Sequence, residues 1–288
     1  MSGKVLTVNP KEVSIGVFHA FMMGAVAPRP IAFASTQDAE GNVNLAPFSF
    51  FNAFGSNPPL LIFSPARRVR DNTIKHTLEN VYQIDEVVIN IVNYAMVEQM
   101  SLASCEYERG VNEFEKAGFT PIASQMVRPP RVAESPAAFE CKVLQVIETG
   151  QQGGAANLIL CEVVLAHFRE DILGLDGKID TTRLDAVARM GGDWYCRAHG
   201  DALFEVPKPN EKKGIGFDQL PHSVRHSNIL TGNELGRLAN IEQLPTAEEI
   251  TQYRQIHTTL LTEEAKHIEA SRLLREQCVK EAWLTLLH

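Results

Sequence analysis

Almost all of the strand-forming sequence in this chain lies before about Pro209. The most β-branched run is residues 87–92, and this composition favours a buried strand. Residues 139–148 and 157–168 form two longer apolar runs, and the glycine-rich stretch 150–154 lies between them. No Gly-Lys-Ser/Thr follows those glycines, so the pattern predicts a flexible hairpin loop and not a phosphate-binding loop before a helix. The first two thirds of the chain are therefore predicted to be a mainly β domain.

Near the N-terminus, residues 31–36 and 44–51 form two short runs rich in apolar and aromatic side chains. Residues 38–41 between them have turn chemistry, because Gly41 adopts positive φ at no steric cost. This pattern predicts a hairpin with a buried face. Helical spacing of apolar residues then replaces the strand pattern over residues 73–82.

Residues 210–288 are predicted to form an α-helical extension that follows the β domain of residues 1–209. Thr246 and Glu249 have the spacing of a capping box, in which each side chain accepts from the other residue's backbone. An apolar stripe at helical spacing needs a partner surface, so we expect the extension to lengthen a dimer contact or cover one end of the β domain. The stripe consists of Ile250, Tyr253, Ile256, Leu260, Leu261, Ala265 and Ile268.

The charge balance disfavours nucleic acid and anionic membranes as partners. The 288 residues include 27 Lys and Arg against 35 Asp and Glu, which gives a formal net charge of −8. An acidic chain gains nothing from a polyanion by bulk electrostatics, although a local basic pocket for one phosphate is compatible with it. No apolar run reaches the roughly 18 to 20 residues that cross a bilayer as a helix.

Cysteine usage indicates a cytoplasmic setting. The five cysteines are odd in number, widely spaced and form no Cys-x-x-Cys pair. Residues 15–27 have the apolar character of a signal-peptide core, but Glu12 and His19 are unfavourable in a signal peptide. We therefore expect a cytoplasmic protein with reduced thiols.

Two segments, residues 28–36 and residues 44–52, combine polar, small and aromatic residues closely enough to suggest a ligand site. In residues 44–52, Asn44 and Ser49 lie among apolar rings, and Ala46 lets a planar ligand approach the backbone amides. This mixture suits a flat heteroaromatic group. The alternative is a buried pair of strands that is rich in phenylalanine.

Cations and hydroxyl groups follow shortly afterwards, in residues 64–68 and 75–77. Arginine, lysine and hydroxyl donors near the start of a predicted helix are the groups that bind phosphate. The alternative is a solvated charged surface, and only the proximity to the aromatic segment favours a phosphate site.

Short motifs follow one another in a fixed order along about residues 9–209. They are Phe21-Met-Met-Gly24, Pro28-Arg-Pro-Ile-Ala, Ser35-Thr36, the run from Asn44 to Asn52, Asn57-Pro-Pro, Phe63-Ser-Pro, Arg67-Arg68, Lys75-x-Thr77-Leu, Val111-Asn-Glu-Phe-Glu, Arg128-Pro-Pro-Arg-Val-Ala-Glu-Ser135, Gly191-Gly-Asp-Trp-Tyr-Cys-Arg197 and Leu203-Phe-Glu-Val-Pro-Lys-Pro209. This series resembles the flavin reductase-like, FMN-binding split-barrel family, and within it the flavoredoxin-type branch.

The resemblance implies a mainly β fold with α-helices, in which a six-stranded, Greek-key-like split β-barrel carries peripheral helices. It implies a homodimer that binds FMN as cofactor and takes hydride from NADH or NADPH, and therefore an NAD(P)H-dependent flavin oxidoreductase. An electron-acceptor protein or an oxygenase is a further expected partner. Two alternatives stay open: a non-catalytic electron carrier that holds FMN, and an adaptor whose function lies in the helical extension.

The resemblance also implies two sets of cofactor-binding residues, and Phe51 and Phe54 are expected near the first. The isoalloxazine ring is expected against Asn44, Leu45, Ala46, Pro47, Phe48, Ser49 and Phe50. The ribityl phosphate is expected against Thr36, Ser64, Arg67, Lys75 and Thr77. This chain departs from the family at His76, where an acidic residue is usual, and in residues 69–73, which replace an Asp-Gly-rich loop.

No side chain is assigned as a catalytic acid or base, because the flavin itself accepts the hydride. Tyr195 and His199 are candidates for the nicotinamide face, and the alternative for His199 is an ordinary surface position. Cys196 is interpreted as a small core residue and not as a redox thiol.

No metal site is predicted. His222 and His226 have the i, i+4 spacing of a chelating pair, but no third ligand accompanies them. Glu264 and His267 match one half of a di-iron motif, and a second Glu-x-x-His is missing from the extension. We interpret that pair as part of a charged helix face.

Overall fold

The computed structural model describes residues 3–207, 213–258 and 262–288. Its chain forms two compact units, Met1–Phe204 and Glu205–His288. Each unit has its own cluster of buried apolar side chains. The predicted division between residues 209 and 210 lies outside the described residues.

One large antiparallel sheet dominates the first unit. The strands of this unit are β1 (Ala32–Gln37), β2 (Val43–Phe48), β3 (Phe51–Ser56), β4 (Pro59–Phe63), β5 (Glu86–Ile91), β6 (Pro121–Ile122), β7 (Arg131–Val132), β8 (Ala137–Glu148), β9 (Asn157–Phe168), β10 (Val187–Arg189) and β11 (Tyr195–Arg197). The order in the large sheet is β2-β1-β5-β8-β9-β4-β3, and the pairs β6-β7 and β10-β11 form two small sheets.

The connection between β2 and β3 shows that this sheet curls on itself. These strands are its two edges, yet only Ser49 and Phe50 separate them in the chain. In a flat sheet the edges of seven strands are about 29 Å apart, whereas three Cα–Cα steps span at most about 11 Å. The sheet therefore closes into a barrel whose edges meet at this link. The predicted barrel with peripheral helices is confirmed, but its main sheet has seven strands where the resemblance implied six. Ser49 and Phe50 divide the run predicted over residues 44–51 into β2 and β3.

The predicted hairpin at the N-terminal end of the barrel is confirmed. Thr36 of β1 pairs with Asn44 of β2, and Gly41 makes the turn at φ +95°. Along β1, Phe33 packs into one core cluster while Ala32 and Ala34 pack into another. Because successive side chains point to opposite faces, β1 is buried on both sides, which explains its nearly continuous apolar sequence.

Five α-helices accompany the barrel strands in the described part of the first unit. The helix predicted over residues 73–82 is α2 (His76–Gln83), which begins three residues later because Thr73 and Ile74 are held in a loop. There the Arg68 guanidinium donates to Thr73 Oγ1 at 2.9 Å and to the Ile74 carbonyl at 2.6 Å. The helices are α1 (Ile15–Ala25), α2 (His76–Gln83), α3 (Val97–Leu102), α4 (Glu113–Ala117) and α5 (Thr181–Leu184).

The described part of the second unit is helical, as predicted. The capping box at its third helix is confirmed, since Glu249 N–H donates to Thr246 Oγ1 and Thr246 N–H donates to the Glu249 carboxylate. Thr231 and Glu234 form a second capping box that the sequence analysis did not identify. The helices are α6 (His222–Arg225), α7 (Gly232–Ala239), α8 (Ala247–Ile256), α9 (Glu263–Arg275) and α10 (Val279–Leu287).

The predicted apolar stripe of the extension is divided between α8 and α9, and the expectation that it meets a partner surface stays a prediction. The stripe runs across two separate helices, so its spacing does not keep one face, and Ile256 and Ile268 are 77% and 56% exposed. Leu260 and Leu261 lie outside the described residues. The core is centred instead on Trp283, which is fully buried and donates its indole N–H to the Leu238 carbonyl at 3.1 Å.

The second unit also corrects the expectation for Glu264 and His267. Glu264 is exposed, but His267 is buried and its Nδ1 is 2.9 Å from Ser227 Oγ. His267 therefore belongs to the packing of the unit and not to a charged helix face.

A buried carboxylate in β8 fixes the loop that precedes it. Glu140 is fully buried, accepts from the backbone N–H groups of Gln125 and Met126, and lies 2.7 Å from His167 Nε2. Burial alone raises the pKa of Glu140, but these hydrogen bonds outweigh it and hold the pKa below its ordinary value. The ionised form is therefore the one that stabilises the fold.

We expect Glu140→Gln to lower the free energy of unfolding by about 2 kcal/mol near neutral pH. Because the folded pKa is depressed, the stabilisation exists above the ordinary carboxyl pKa and is lost as the pH falls through the folded value. The difference between variant and wild type should therefore shrink in urea titrations below about pH 4. Glu162→Gln, on β9, is the control and should change little. A loss that is equal at all pH values would contradict the prediction.

Candidate cofactor site

The first unit contains a cavity of ≈ 320 Å³ at the link between β2 and β3. This volume lies at the lower end of the range for small-molecule sites, about 300–1,000 Å³. The walls are formed by residues 46–50, by the beginning of α2, and by residues 103–107, which follow α3.

Nine of the twelve predicted cofactor-binding residues line this cavity. On β2 the side chains at alternate positions share the face that is turned toward it, as the period of a strand requires. The nine are Asn44, Ala46, Pro47, Phe48, Ser49, Phe50, Ser64, Lys75 and Thr77.

The structure does not place the other three predicted residues in the lining. Thr36 is fully buried, and its Oγ1 accepts from the Asn80 amide at 3.2 Å. Leu45 is on the opposite face of β2 and packs into the core cluster that contains Phe33. Arg67 is held by Asn72, whose side-chain oxygen accepts from Arg67 Nε at 2.8 Å.

One end of the cavity is apolar and aromatic. The Phe48 ring packs at 5.4 Å, centroid to centroid, against Phe63 of β4. The Phe50 carbonyl accepts from Ser64 N–H at 2.9 Å, which fixes the backbone where the chain passes from one edge strand to the other. Phe51 packs against the core and Phe54 is 64% exposed, so neither belongs to the cavity wall. This end suits a flat aromatic group.

Another part of the wall, which we call the cationic end, contains basic side chains that pair with the Glu106 carboxylate. Arg68 and Lys75 both line it, next to the first residues of α2. The first turn of a helix has N–H groups without helical acceptors and carries the positive end of the helix dipole. Asn44 donates to Thr77 Oγ1 at 2.9 Å and so ties this helix start to β2. The arrangement suits a phosphate group.

At this end, His76 takes the place of the acidic residue that is usual in the family, so no negative charge is added there. Burial lowers the pKa of His76, and the positive charges of Arg68, Arg109 and Lys75 lower it as well, against the opposing effect of Glu79. His76 is therefore neutral near pH 7. The departure from the family pattern at this position removes a negative charge without adding a positive one.

The glycine-rich stretch 150–154 supports the cationic end, although its sequence predicted a flexible loop. Gly154 N–H donates to the Arg67 carbonyl at 3.0 Å, and Arg67 N–H donates to the Ala155 carbonyl at 2.9 Å. At Gly153 a Cβ atom would lie 3.0 Å from the Val69 carbonyl oxygen. Glycine is needed there because the two backbones approach each other closely.

Nine residues beyond the twelve predicted also line the cavity; of these, Ala66, Arg68 and His76 lie in the segments 64–68 and 75–77 predicted for phosphate. Glu113 is the most buried charged group among them: its carboxylate accepts from Leu45 N–H at 3.0 Å, and burial raises its pKa against the effect of that hydrogen bond. The motif around Glu113 contributed to the family resemblance but suggested no role in the site. The nine are Ala66, Arg68, His76, Ala103, Ser104, Cys105, Glu106, Tyr107 and Glu113.

Tyr195 and His199 are not part of this lining. Tyr195 lines a different cavity of ≈ 210 Å³, together with Tyr94, Arg197 and Cys196. Cys196 is only partly buried, in contrast to the core position that was expected. His199 is exposed, with its Nδ1 3.5 Å from an Asp185 carboxylate oxygen.

Within residues 3–207, 213–258 and 262–288, no group of three or more His, Cys, Asp or Glu side chains is arranged to hold a metal ion. His222 and His226 stack on each other with ring centroids 4.2 Å apart. Over the same ranges, none of the helices has the length and apolar character needed to cross a bilayer.

Comparison with protein-family models matches residues 23–181 to the flavin reductase like domain. An uncharacterised protein of Halalkalibacterium halodurans is 38% identical over 206 residues, which is 71% of this chain and 97% of that protein. An uncharacterised protein of Aquifex aeolicus is 35% identical over 196 residues, 68% of this chain and 97% of that protein.

Among solved structures, the chain is similar to nitrilotriacetate monooxygenase component B from Bacillus cereus. The two share 29% identity with a TM-score of 0.66, over 71% of this chain and all of that chain. It is also similar to the 2-nitrobenzoate 2-nitroreductase of Pseudomonas fluorescens, with 28% identity and a TM-score of 0.61 over 70% and 96% of the two chains. A split-barrel domain protein from Shewanella frigidimarina has 28% identity and a TM-score of 0.58 over 69% and 95%.

Proposed function

The chain belongs to the flavin reductase-like family of flavin-related oxidoreductases, and on this premise we propose that it is an NAD(P)H-dependent FMN oxidoreductase. The proposal rests on one observation: a single cavity is lined both by aromatic side chains and by cations at a helix start. FMN combines the matching features, since its isoalloxazine is flat and aromatic and its ribityl chain ends in a phosphate.

The residues present fit FMN by their chemistry. Phe48 and Phe50 offer apolar surface to the ring, while Arg68, Lys75 and Thr77 offer donors to the phosphate. Bound FMN would supply a hydride acceptor at its N5 atom. The chain itself would bind and orient the ring and exclude water from its aromatic face. No side chain of the cavity is given the role of acid or base.

The test is anaerobic reduction of the purified, FMN-loaded protein. Addition of NADH or NADPH should bleach the visible flavin absorbance, and the nucleotide that bleaches it faster identifies the donor. If FMN binds but neither nucleotide reduces it, the reductase proposal fails in favour of an electron carrier. Absence of flavin binding by absorbance and fluorescence quenching would contradict both.

We also propose that the protein is a homodimer. Helix α1 is apolar yet buries none of its residues within its own chain, and Phe21 on it is 47% exposed. Strand β3 is an edge strand with Phe54 exposed. His19 of α1 lies 6.3 Å from the Phe50 ring of the cavity, so this uncovered surface reaches the cofactor site. A second copy of the chain would cover it.

We expect the double variant Phe21→Glu/Phe54→Glu to shift the protein from dimer to monomer, because charges in a buried apolar contact are strongly unfavourable. Sedimentation equilibrium measures the mass directly. Leu175→Glu, in the loop between Leu173 and Ile179, is the control for added charge and should remain dimeric. A wild-type protein that sediments at the mass of one chain would contradict the proposal.

A partner that receives reduced flavin is a further part of the proposal. The similar Bacillus cereus protein is named as component B of a monooxygenase. By analogy, we propose that this chain supplies reduced FMN to an electron-acceptor protein or an oxygenase. Reduction of excess free FMN in repeated turnovers would support this role, whereas a single turnover of tightly held flavin would contradict it.

A further inference from the structure

We propose that Glu106 competes with the flavin phosphate for the same cations and thereby makes bound FMN exchangeable. This inference rests on the proposed binding of FMN. It concerns how tightly the site holds the cofactor, which decides whether FMN leaves the protein between turnovers.

The Glu106 carboxylate lines the cavity and contacts three cations. One oxygen is 2.9 Å from Arg68 Nε and 3.4 Å from Lys75 Nζ, and the other is 2.8 Å from Arg70 Nη2. The Arg68 side chain is 15% exposed, but Lys75 and Glu106 are 33% and 41% exposed, so these ion pairs remain accessible to solvent. Hydrogen bonds from Arg68 and Arg70 lower the pKa of Glu106 to about 2, and it is ionised at every pH at which the protein would be assayed.

The carboxylate engages the donors that a phosphate would need. Arg68 Nη1 is already committed to Thr73 Oγ1 and to the Ile74 carbonyl. Glu106 accepts from Arg68 Nε. A phosphate that binds Arg68 through Nε, or Lys75 where Glu106 contacts it, must therefore displace the carboxylate or share these donors with it. Either event costs free energy that a site without Glu106 would not require.

Glu106 also affects the binding of FMN and riboflavin differently, because only FMN carries a phosphate. Riboflavin has no phosphate, so its ring can occupy the aromatic end without disturbing the contacts of Glu106. FMN carries a dianion to the cationic end and competes directly. The effect of Glu106 is therefore expected on FMN alone.

The experiment compares Glu106→Gln with wild type by flavin fluorescence quenching, using FMN and riboflavin. We expect the variant to bind FMN about fivefold more tightly, since an exposed ion pair contributes up to about 1 kcal/mol. FMN dissociation should slow by a similar factor, and the affinity for riboflavin should stay unchanged. The inhibition constant of inorganic phosphate against FMN should also be lower in the variant.

Glu108→Gln is the matched control, because Glu108 is exposed in the same segment and the substitution removes the same charge. It should leave both affinities unchanged. Weaker or unchanged FMN binding by Glu106→Gln would overturn the inference, as would equal tightening for riboflavin or an equal effect of Glu108→Gln. Failure of the wild type to bind either flavin would instead contradict the proposed function itself.

Discussion

Replacing Arg68 with alanine is expected to raise the dissociation constant for FMN about fiftyfold, because hydrogen bonds to a charged group contribute about 1.5–3 kcal/mol. Two effects act in the same direction. The variant removes the Nε donor at the cationic end of the cavity, and it releases Thr73 and the Ile74 carbonyl from the loop before α2. Titration of flavin fluorescence with FMN and riboflavin measures both affinities.

Riboflavin distinguishes loss of the phosphate contact from general damage, since its affinity should change by less than about threefold if only a phosphate contact is lost. Arg68→Lys keeps the charge but not the planar fork, and should give an intermediate loss. Arg128→Ala removes one positive charge at an exposed position outside the cavity and serves as the control for bulk electrostatics. Equal losses for both flavins would contradict the assignment of Arg68 to the phosphate.

Replacing Trp283 with alanine is expected to cost the helical unit about 3–5 kcal/mol, the usual loss for a fully buried tryptophan. Its ring is at the centre of the core of α7, α9 and α10, and its N–H hydrogen bond to Leu238 is lost as well. Thermal melting followed by far-ultraviolet circular dichroism should show the helical transition at lower temperature. Trp194→Ala, at a residue that is 78% exposed, is the control and should leave the transition in place.

The same variant separates the roles of the two units. All residues that line the proposed FMN cavity belong to the first unit, so FMN affinity should stay within about twofold of wild type. A large loss of FMN binding on unfolding of the helical unit would show that the extension takes part in the flavin site. The expectation that it lengthens a dimer contact or covers one end of the barrel remains a prediction.

Sequence patterns predicted the barrel well where the determinants are local. The hairpin at Gly41 and the strands β8 and β9 follow from turn chemistry and apolar runs, because neighbours in sequence are neighbours in the sheet. The bend at Ser49 and Phe50 was not predictable in this way. It arises from closure of the sheet, which depends on the order of all seven strands.

The site was likewise predictable only where its determinants are local in sequence. Alternation along β2 places Asn44, Ala46 and Phe48 on one face, whereas Leu45 was predicted from a continuous motif and faces the core. The stretch around Gly153 supports the phosphate end through backbone contacts with a segment more than 80 residues away. Glu106 and Glu108 are alike in sequence, and only the folded chain brings one of them to the cations.

The link at Ser49 and Phe50 connects flavin supply to the lifetime of the protein. These residues connect the two edge strands of the sheet and also line the cavity. A barrel that opens between β2 and β3 therefore has no intact cofactor site. A ligand that binds only the closed form stabilises it in proportion to the logarithm of its concentration. We expect the barrel to open between β2 and β3 more often, and the chain to be cleaved there more readily by proteases, when FMN is scarce. If the proposed binding of FMN is correct, we therefore expect each copy of the chain to survive longer when the cofactor is abundant.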